Sequence, residues 1–318
     1  MADPDTPPPR HARLTLTQRG LRVLGVLAAG VLVLAGAVVV TTVTSGRAGG
    51  DRATEPEPPR AAIPLATGLP VPSQTALVPA SCGDPEVAEA VASGEDVEII
   101  AAFGGADAFR TAVVTGAPCV SLSDPARLWV VVDKQRALDP IEFAPADLVA
   151  PVDMQRVEDV PLRSDAAAAL TELVAAAAAE GAGTVGLNSG YRSYASQQAT
   201  HRGYVRRLGQ EAADRQSARP GYSEHQTGLA ADVTACDDGC VALEAFGGTA
   251  QAQWVAANAW RFGYIVRYEE GRTAITGYEA EPWHLRYVGV ELAAASRGGD
   301  FHTLEEFFGL PAAPDYAG

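Results

Sequence analysis

Ser223-Glu224-His225-Gln226-Thr227-Gly228-Leu229-Ala230-Ala231-Asp232 is the stretch on which the reading of this chain turns. A histidine in a polar turn is followed by a glycine and then by a short apolar run ending in an aspartate. That is a loop entering a strand, with Gly228 free to make the reversal between them. A second stretch, Glu281-Pro282-Trp283-His284, adds another imidazole and another carboxylate. Two histidines and one aspartate are the donors of a tetrahedral zinc site that keeps its fourth position open for water. Glu281 stands three residues before His284, with Pro282 stiffening the approach. It is placed to take a proton from water rather than to bind the metal. His-x₆-Asp is a weak signal alone, and each histidine taken singly is more often structural than a ligand. The combination is what points to hydrolysis on a metal.

The other three histidines offer no such partners. His11 lies near the N-terminus, His201 beside Arg202 on a polar helix face, and His302 in an acidic C-terminal segment. All three read as surface residues.

Around these stretches, short helices and strands alternate without a βαβ rhythm, which predicts an α+β fold with a small antiparallel sheet and flanking helices. Ser164–Glu180 is the clearest helix, with Ser164 as its cap, an alanine-rich body and Gly181 as its stop. Ala195–Leu208 and Ala250–Phe262 are two more, the former with Tyr204, Val205 and Leu208 on its apolar face. Thr184–Asn188, Gly228–Thr234, Tyr264–Tyr268 and Trp283–Val288 read as strands. So do Val97–Ala101 and Leu128–Asp133, the latter a strongly apolar run. Glu86–Ser93 and Ala108–Val114 are helix-compatible.

The N-terminal part is of a different kind. Val23 to Val43 carries no charge, and at about 1.5 Å per residue it spans a bilayer core of roughly 30 Å. Arg10, Arg13, Arg19 and Arg22 precede it, so the positive-inside rule puts the N-terminus in the cytoplasm and the rest outside. A cleaved signal peptide is the competing reading; its apolar region is shorter, roughly 7–15 residues. Pro56, Pro58, Pro59, Pro64, Pro70 and Pro72 then forbid regular structure and read as an extended linker. The expected organisation is a cytoplasmic tail (1–22), a transmembrane helix (23–43), a linker (44–80), a small extracytoplasmic unit (81–127), a metal-bearing domain (128–310) and a short tail (311–318).

The formal net charge is −15, and no basic stripe interrupts it. Such a field repels nucleic acid. An external compartment permits disulfides. Cys236 and Cys240 bracket the turn-like Asp237-Asp238-Gly239 and are expected to pair, which leaves Cys82 with Cys119.

Three blocks resemble a known family. SGYRSYASQ (Ser189–Gln197), PGYSEHQTGLAAD (Pro220–Asp232) and EPWHLRYVG (Glu281–Gly289) look like the signature blocks of the VanY-type D-alanyl-D-alanine carboxypeptidases. These belong to a larger group of zinc peptidases that includes the D,D-dipeptidases and the hedgehog fold. The resemblance covers about Leu128 to Leu310. It departs at Asp133, where the family usually has asparagine between valine and lysine. It implies that His225, Asp232 and His284 hold Zn²⁺, that Glu281 is the catalytic base and that Arg192 stabilises the oxyanion. It further implies that Ser223 receives the free carboxylate of the peptide, with Gln197 and Tyr268 lining the same pocket. The implied substrate is a peptidoglycan stem peptide that loses its C-terminal D-alanine. An L,D-carboxypeptidase acting on tetrapeptide stems remains a second expectation. A non-catalytic, membrane-anchored cell-wall-binding module is a third, weakened by the presence of both Glu281 and Arg192.

Overall fold

A computed structural model of the protein describes residues 80–317. The expected cytoplasmic tail, membrane helix and all but the last residue of the linker lie outside the described residues. Among those described, no helix is long and apolar enough to cross a membrane.

Three short helices open the described chain: α1 (Pro85–Ser93), α2 (Asp96–Ala102) and α3 (Ala106–Val114). The expected strand at Val97–Ala101 is therefore a helix. Its apolar run is too short for periodicity to decide, and the spacing of the buried Ile99, Ile100 and Phe103 suits a helix face. Leu128–Val132 is fully buried as expected but joins no sheet. Instead the carbonyls of Leu128 and Val130 accept hydrogen bonds from the Arg286 guanidinium (3.0 and 2.8 Å). A distant side chain thus meets the demand that buried carbonyls be paired.

The strands β1 (Leu148–Val149) and β2 (Leu162–Arg163) form a minimal antiparallel pair leading into α4 (Ser164–Ala179). Ser164 does not cap α4; it is the first helical residue, and its hydroxyl donates to Asp147 (2.8 Å). The central sheet is built from β3 (Val185–Ser189), β4 (Ala230–Ala235), β5 (Tyr264–Tyr268) and β6 (Glu281–Tyr287), all antiparallel in the order β3-β4-β6-β5. Between them lie α5 (Tyr194–Leu208), α6 (Gln210–Gln216), α7 (Leu243–Phe246), α8 (Ala250–Asn258) and α9 (Thr273–Thr276). The chain then adds α10 (Val290–Gly298) and α11 (Leu304–Phe307). A small antiparallel sheet with flanking helices is the α+β class expected.

One face of the sheet packs on α4. Leu170, Leu173 and Ala177 of the helix meet Leu187, Ala231, Val233 and Leu285 of the strands, all buried in one apolar cluster. The alternate residues, Asp232 and His284, face the other way, as the two-residue strand period requires. A second cluster joins Val87, Ile99 and Phe109 of α1–α3 to Trp129, Val131, Leu292 and Phe307. The segment 81–127 therefore shares its core with α10 and α11. Both expected disulfides are present, Cys82–Cys119 and Cys236–Cys240.

Candidate metal centre and its pocket

The site is assembled by strand register. In β4 and β6, Asp232 lies directly opposite His284, so the two side chains meet on one face. Ser189 of β3 lies opposite Asp232 on the other side. His225 comes from the one-turn helix Glu224–Thr227, which Gly228 ends in the left-handed conformation (φ 72°) before β4 begins. The imidazole is fixed by donation from Nδ1 to the Gly190 carbonyl (2.7 Å), which leaves Nε2 facing Asp232 at 3.3 Å. On His284 it is Nδ1 that faces Asp232, at 3.2 Å. One donor atom from each of His225, Asp232 and His284 lies within 4.8 Å of the others, and all three residues are buried.

Two bulges shape the mouth of the site. Between the pairs Val266–Leu285 and Tyr268–Glu281, β5 advances two residues while β6 advances four. Pro282, which has no N–H to give a ladder, sits in that excess. The result re-aims Glu281 toward the face of His284, with its carboxylate 3.5 Å from Nδ1. On β3 a smaller shift between Leu187 and Ser189 precedes the turn that delivers Arg192. The Arg192 guanidinium stands 3.9 Å from the Asp232 carboxylate and donates to Gln197 Oε1 (2.9 Å) and Ser189 Oγ (3.3 Å).

These residues line a polar pocket of about 200 Å³ together with Ser223, Tyr268, Tyr278 and Trp283. Every candidate site residue from the sequence is on this one wall. Gln197 is placed differently from the expectation of a simple lining residue. Its amide donates to Ala218 O and Ser217 Oγ while its oxygen holds Arg192, so it anchors the arginine. Tyr268 stacks beside His284 (4.9 Å), and burial raises its phenol well above the usual range, which keeps it a neutral donor. The larger hollow, about 640 Å³ behind β5 along Trp260, Ile265 and Phe301, brings no metal-ligating group of three together among the described residues.

Two expectations about histidines need correction or refinement. His201 is buried, not on the surface, and its Nε2 pairs with Asp214 (2.9 Å). The face of α5 turned inward carries Gln197 and His201; Leu208 is exposed. His302 is half-buried and pairs with Glu269. Glu224, which no local sequence pattern singles out, is buried against the back of the site.

The charges show what the site wants. Burial alone would raise Asp232, but His225 and His284 hold it far below the ordinary carboxylate range. Burial lowers His225. Burial also disfavours a charged His284, yet the Asp232 and Glu224 carboxylates beside it outweigh this and push it up to about 9. The Asp232 Oδ1 and His284 Nε2 atoms are buried without a hydrogen-bond partner among the described residues. Two imidazoles and one carboxylate converging in a buried, anionic pocket fit a divalent zinc ion.

A measurable consequence is that metal uptake should release a proton. His284 carries a proton at neutral pH in the metal-free protein and must lose it to bind. Its metal-free value lies near 9, so affinity should rise with pH up to about that point and fall by about tenfold per unit below it. Titration calorimetry in buffers of different ionisation enthalpy reads the released protons. A zinc affinity flat between pH 6 and 8 would contradict this charge state.

The family model of VanY, D-alanyl-D-alanine carboxypeptidase, matches residues 159–290. A Bacillus subtilis (strain 168) protein, YodJ, named for carboxypeptidase activity, is 41% identical over 192 residues, which is 59% of this chain and 69% of YodJ. This chain belongs to the VanY-type carboxypeptidase family. It is an enzyme of the zinc metallo-carboxypeptidase type. The D-alanyl-D-alanine carboxypeptidase of Enterococcus faecium is 36% identical over 121 residues, 38% of this chain and 35% of that protein. The match thus spans only about a third of that relative's length. Among solved structures, the LdcB LD-carboxypeptidase, whose structure addresses peptidoglycan recognition, is 42% identical with a TM-score of 0.54. It covers 58% of this chain and 87% of LdcB.

Proposed function

We propose that this protein removes the C-terminal D-alanine from peptidoglycan stem peptides by zinc-dependent hydrolysis of a D-Ala-D-Ala bond. The observation that carries the reading is the convergence, in one small polar pocket, of the His225–Asp232–His284 donors with Glu281 on one side and Arg192 on the other. His225, Asp232 and His284 would hold a zinc ion, which would supply Lewis acidity to the scissile carbonyl and lower the pKa of a water toward about 7. Glu281 accepts the proton of the attacking water and passes it to the leaving amine. Arg192, held in place by Gln197, donates to the oxygen on which negative charge develops. Ser223 and the neutral Tyr268 hydroxyl are donors for a free peptide carboxylate. The pocket is small and polar, which suits a small terminal residue and its carboxylate better than a bulky apolar side chain.

A second reading, cleavage of an L,D bond in tetrapeptide stems, is favoured by the likeness to the LdcB LD-carboxypeptidase. Incubating the zinc-loaded protein with penta- and tetrapeptide stems and weighing the products separates the two. Loss of one alanine from the pentapeptide, with the tetrapeptide left intact, is the expected result. Trimming of the tetrapeptide alone selects the second reading, and no cleavage of either refutes both.

The site is proposed to work outside the membrane, tethered by Val23–Val43. Support comes from the uncharged run, the four arginines before it and two disulfides that suit an oxidising compartment. Protease added to intact cells should remove the catalytic part and leave a small membrane-bound stub. A protected catalytic part would reverse the orientation.

A further inference from the structure

Behind the pocket lies a group of four charged side chains, Glu224, Arg267, Arg286 and Glu305, none with any exposure. Arg267 pairs with Glu305 through both terminal nitrogens (3.0 and 2.7 Å) and donates from Nε to Glu224 Oε1 (3.0 Å). Arg286 donates from Nη1 to that same oxygen (2.8 Å) and gives its other donors to the carbonyls of Leu128, Val130 and Tyr287. Both arginines therefore converge on one oxygen of Glu224. The second oxygen, Oε2, takes nothing from either of them. It faces His284 Nε2 at 3.4 Å, and these two atoms are both buried with no hydrogen-bond partner among the described residues.

We propose that Glu224 is a positioning residue for the metal: it accepts from His284 Nε2–H and thereby fixes the ring with Nδ1 unprotonated and turned toward Asp232. The inference rests on the reading of His225, Asp232 and His284 as a zinc site. Three observations carry it. First, His284 offers Nδ1 to the cluster, 3.2 Å from Asp232 Oδ1, so its other nitrogen must carry the hydrogen of the neutral imidazole. Second, the oxygen that faces that nitrogen, at 3.4 Å, is the one that the arginines leave free. His225 is handled in the mirrored way, with Nδ1–H given to Gly190 O and Nε2 left for the cluster. Third, four buried charges are a poor device for stability alone, since apolar residues of similar volume commonly serve as well. Their arrangement makes sense as a rigid mount that presents one carboxylate oxygen at a set place. Partners of this kind fix a ligand's tautomer and raise its basicity, and their loss typically costs about 10–100-fold in metal affinity.

Glu224→Gln is the discriminating change, because the amide keeps the volume and one acceptor for the arginines. To keep its oxygen on the arginines it must turn its NH₂ toward His284 Nε2–H, donor against donor. Zinc affinity is read by competition with a chelator for the parent, Glu224→Gln, Glu305→Gln and His284→Ala. Glu305→Gln disturbs the same buried group without touching His284 and controls for loosening of the fold. Should Glu224→Gln fold poorly, Glu224→Gln/Arg286→Gln removes the surplus cation, keeps an amide donor for the Leu128 and Val130 carbonyls, and replaces it in the series. The expected result is a loss of about 10–100-fold for the Glu224 variant, under about threefold for Glu305→Gln, and near-complete loss for His284→Ala. Long-range ¹H–¹⁵N spectra of the zinc-loaded parent should also show His284 protonated at Nε2 alone. A Glu224 variant that binds zinc within threefold of the parent, or a Glu305→Gln that loses as much, overturns the proposal while leaving the metal site standing. If His284→Ala also keeps its zinc, the reading of the metal site itself has failed.

Discussion

Glu281→Gln is expected to keep its zinc and lose about 10²–10⁴-fold in kcat, the usual worth of a general base placed beside a reacting water. The carboxylate sits 3.5 Å from His284 Nδ1, yet it is not one of the three converging donors. Its environment is tuned for the work. Burial raises its carboxyl to about 7, helped by the charge of Asp232 and opposed by His284 and Arg192. A group with a value near the working pH can both accept a proton and return it. A divalent cation beside it would pull the value down from there, toward the ionised form at neutral pH. The sign of the pH dependence follows: only ionised Glu281 accepts a proton, so kcat/KM should climb with pH along an acid limb at or below about 7. That limb should vanish from the residual activity of Glu281→Gln. Zinc content by mass spectrometry, set beside rates on stem pentapeptides, checks both halves. A variant with full zinc and near-parent rates would remove Glu281 from the mechanism.

The metal centre was legible in the sequence for a definite reason. His225 and Asp232 are joined by a short turn whose glycine takes a positive φ, and Asp232 and His284 each lie on a strand with a clear period. Local pattern therefore places them, and the pairing of β4 with β6 does the rest. The bulge that turns Glu281 inward is marked only by Pro282. What stayed hidden depends on contacts between distant residues. Leu128–Val132 has the composition of a buried strand, but its carbonyls are met by Arg286, 158 and 156 residues away. His201 sits among polar neighbours in sequence and is buried because α6 folds back to bring Asp214 against it. Glu224 reads as an ordinary polar neighbour of a ligand until Arg267 and Arg286 close on it across 43 and 62 residues. No window of local sequence contains that information.

The same buried group yields the largest stability effect expected outside the metal site. Arg267→Met should destabilise the fold by about 3–5 kcal/mol, because it strands Glu305 and half-strands Glu224 in a region with no exposure to water. Glu305 would lose both of its guanidinium contacts at once, while Glu224 would keep only Arg286. For a domain of this size, that is a fall in Tm of about 6–20 °C. The cost comes from the uncompensated charge rather than from the lost attraction, and this can be separated. Removing the partner as well, in Arg267→Met/Glu305→Leu, leaves Glu224 with Arg286 and no lone carboxylate. The double variant should therefore recover more than half of the loss, although it deletes one more polar group than the single. Urea unfolding of the parent and the two variants measures the cycle. An Arg267→Met protein within about 1 kcal/mol of the parent, or a double variant weaker than the single, would show that the pair is solvated or slack and not the closed mount that the distances describe.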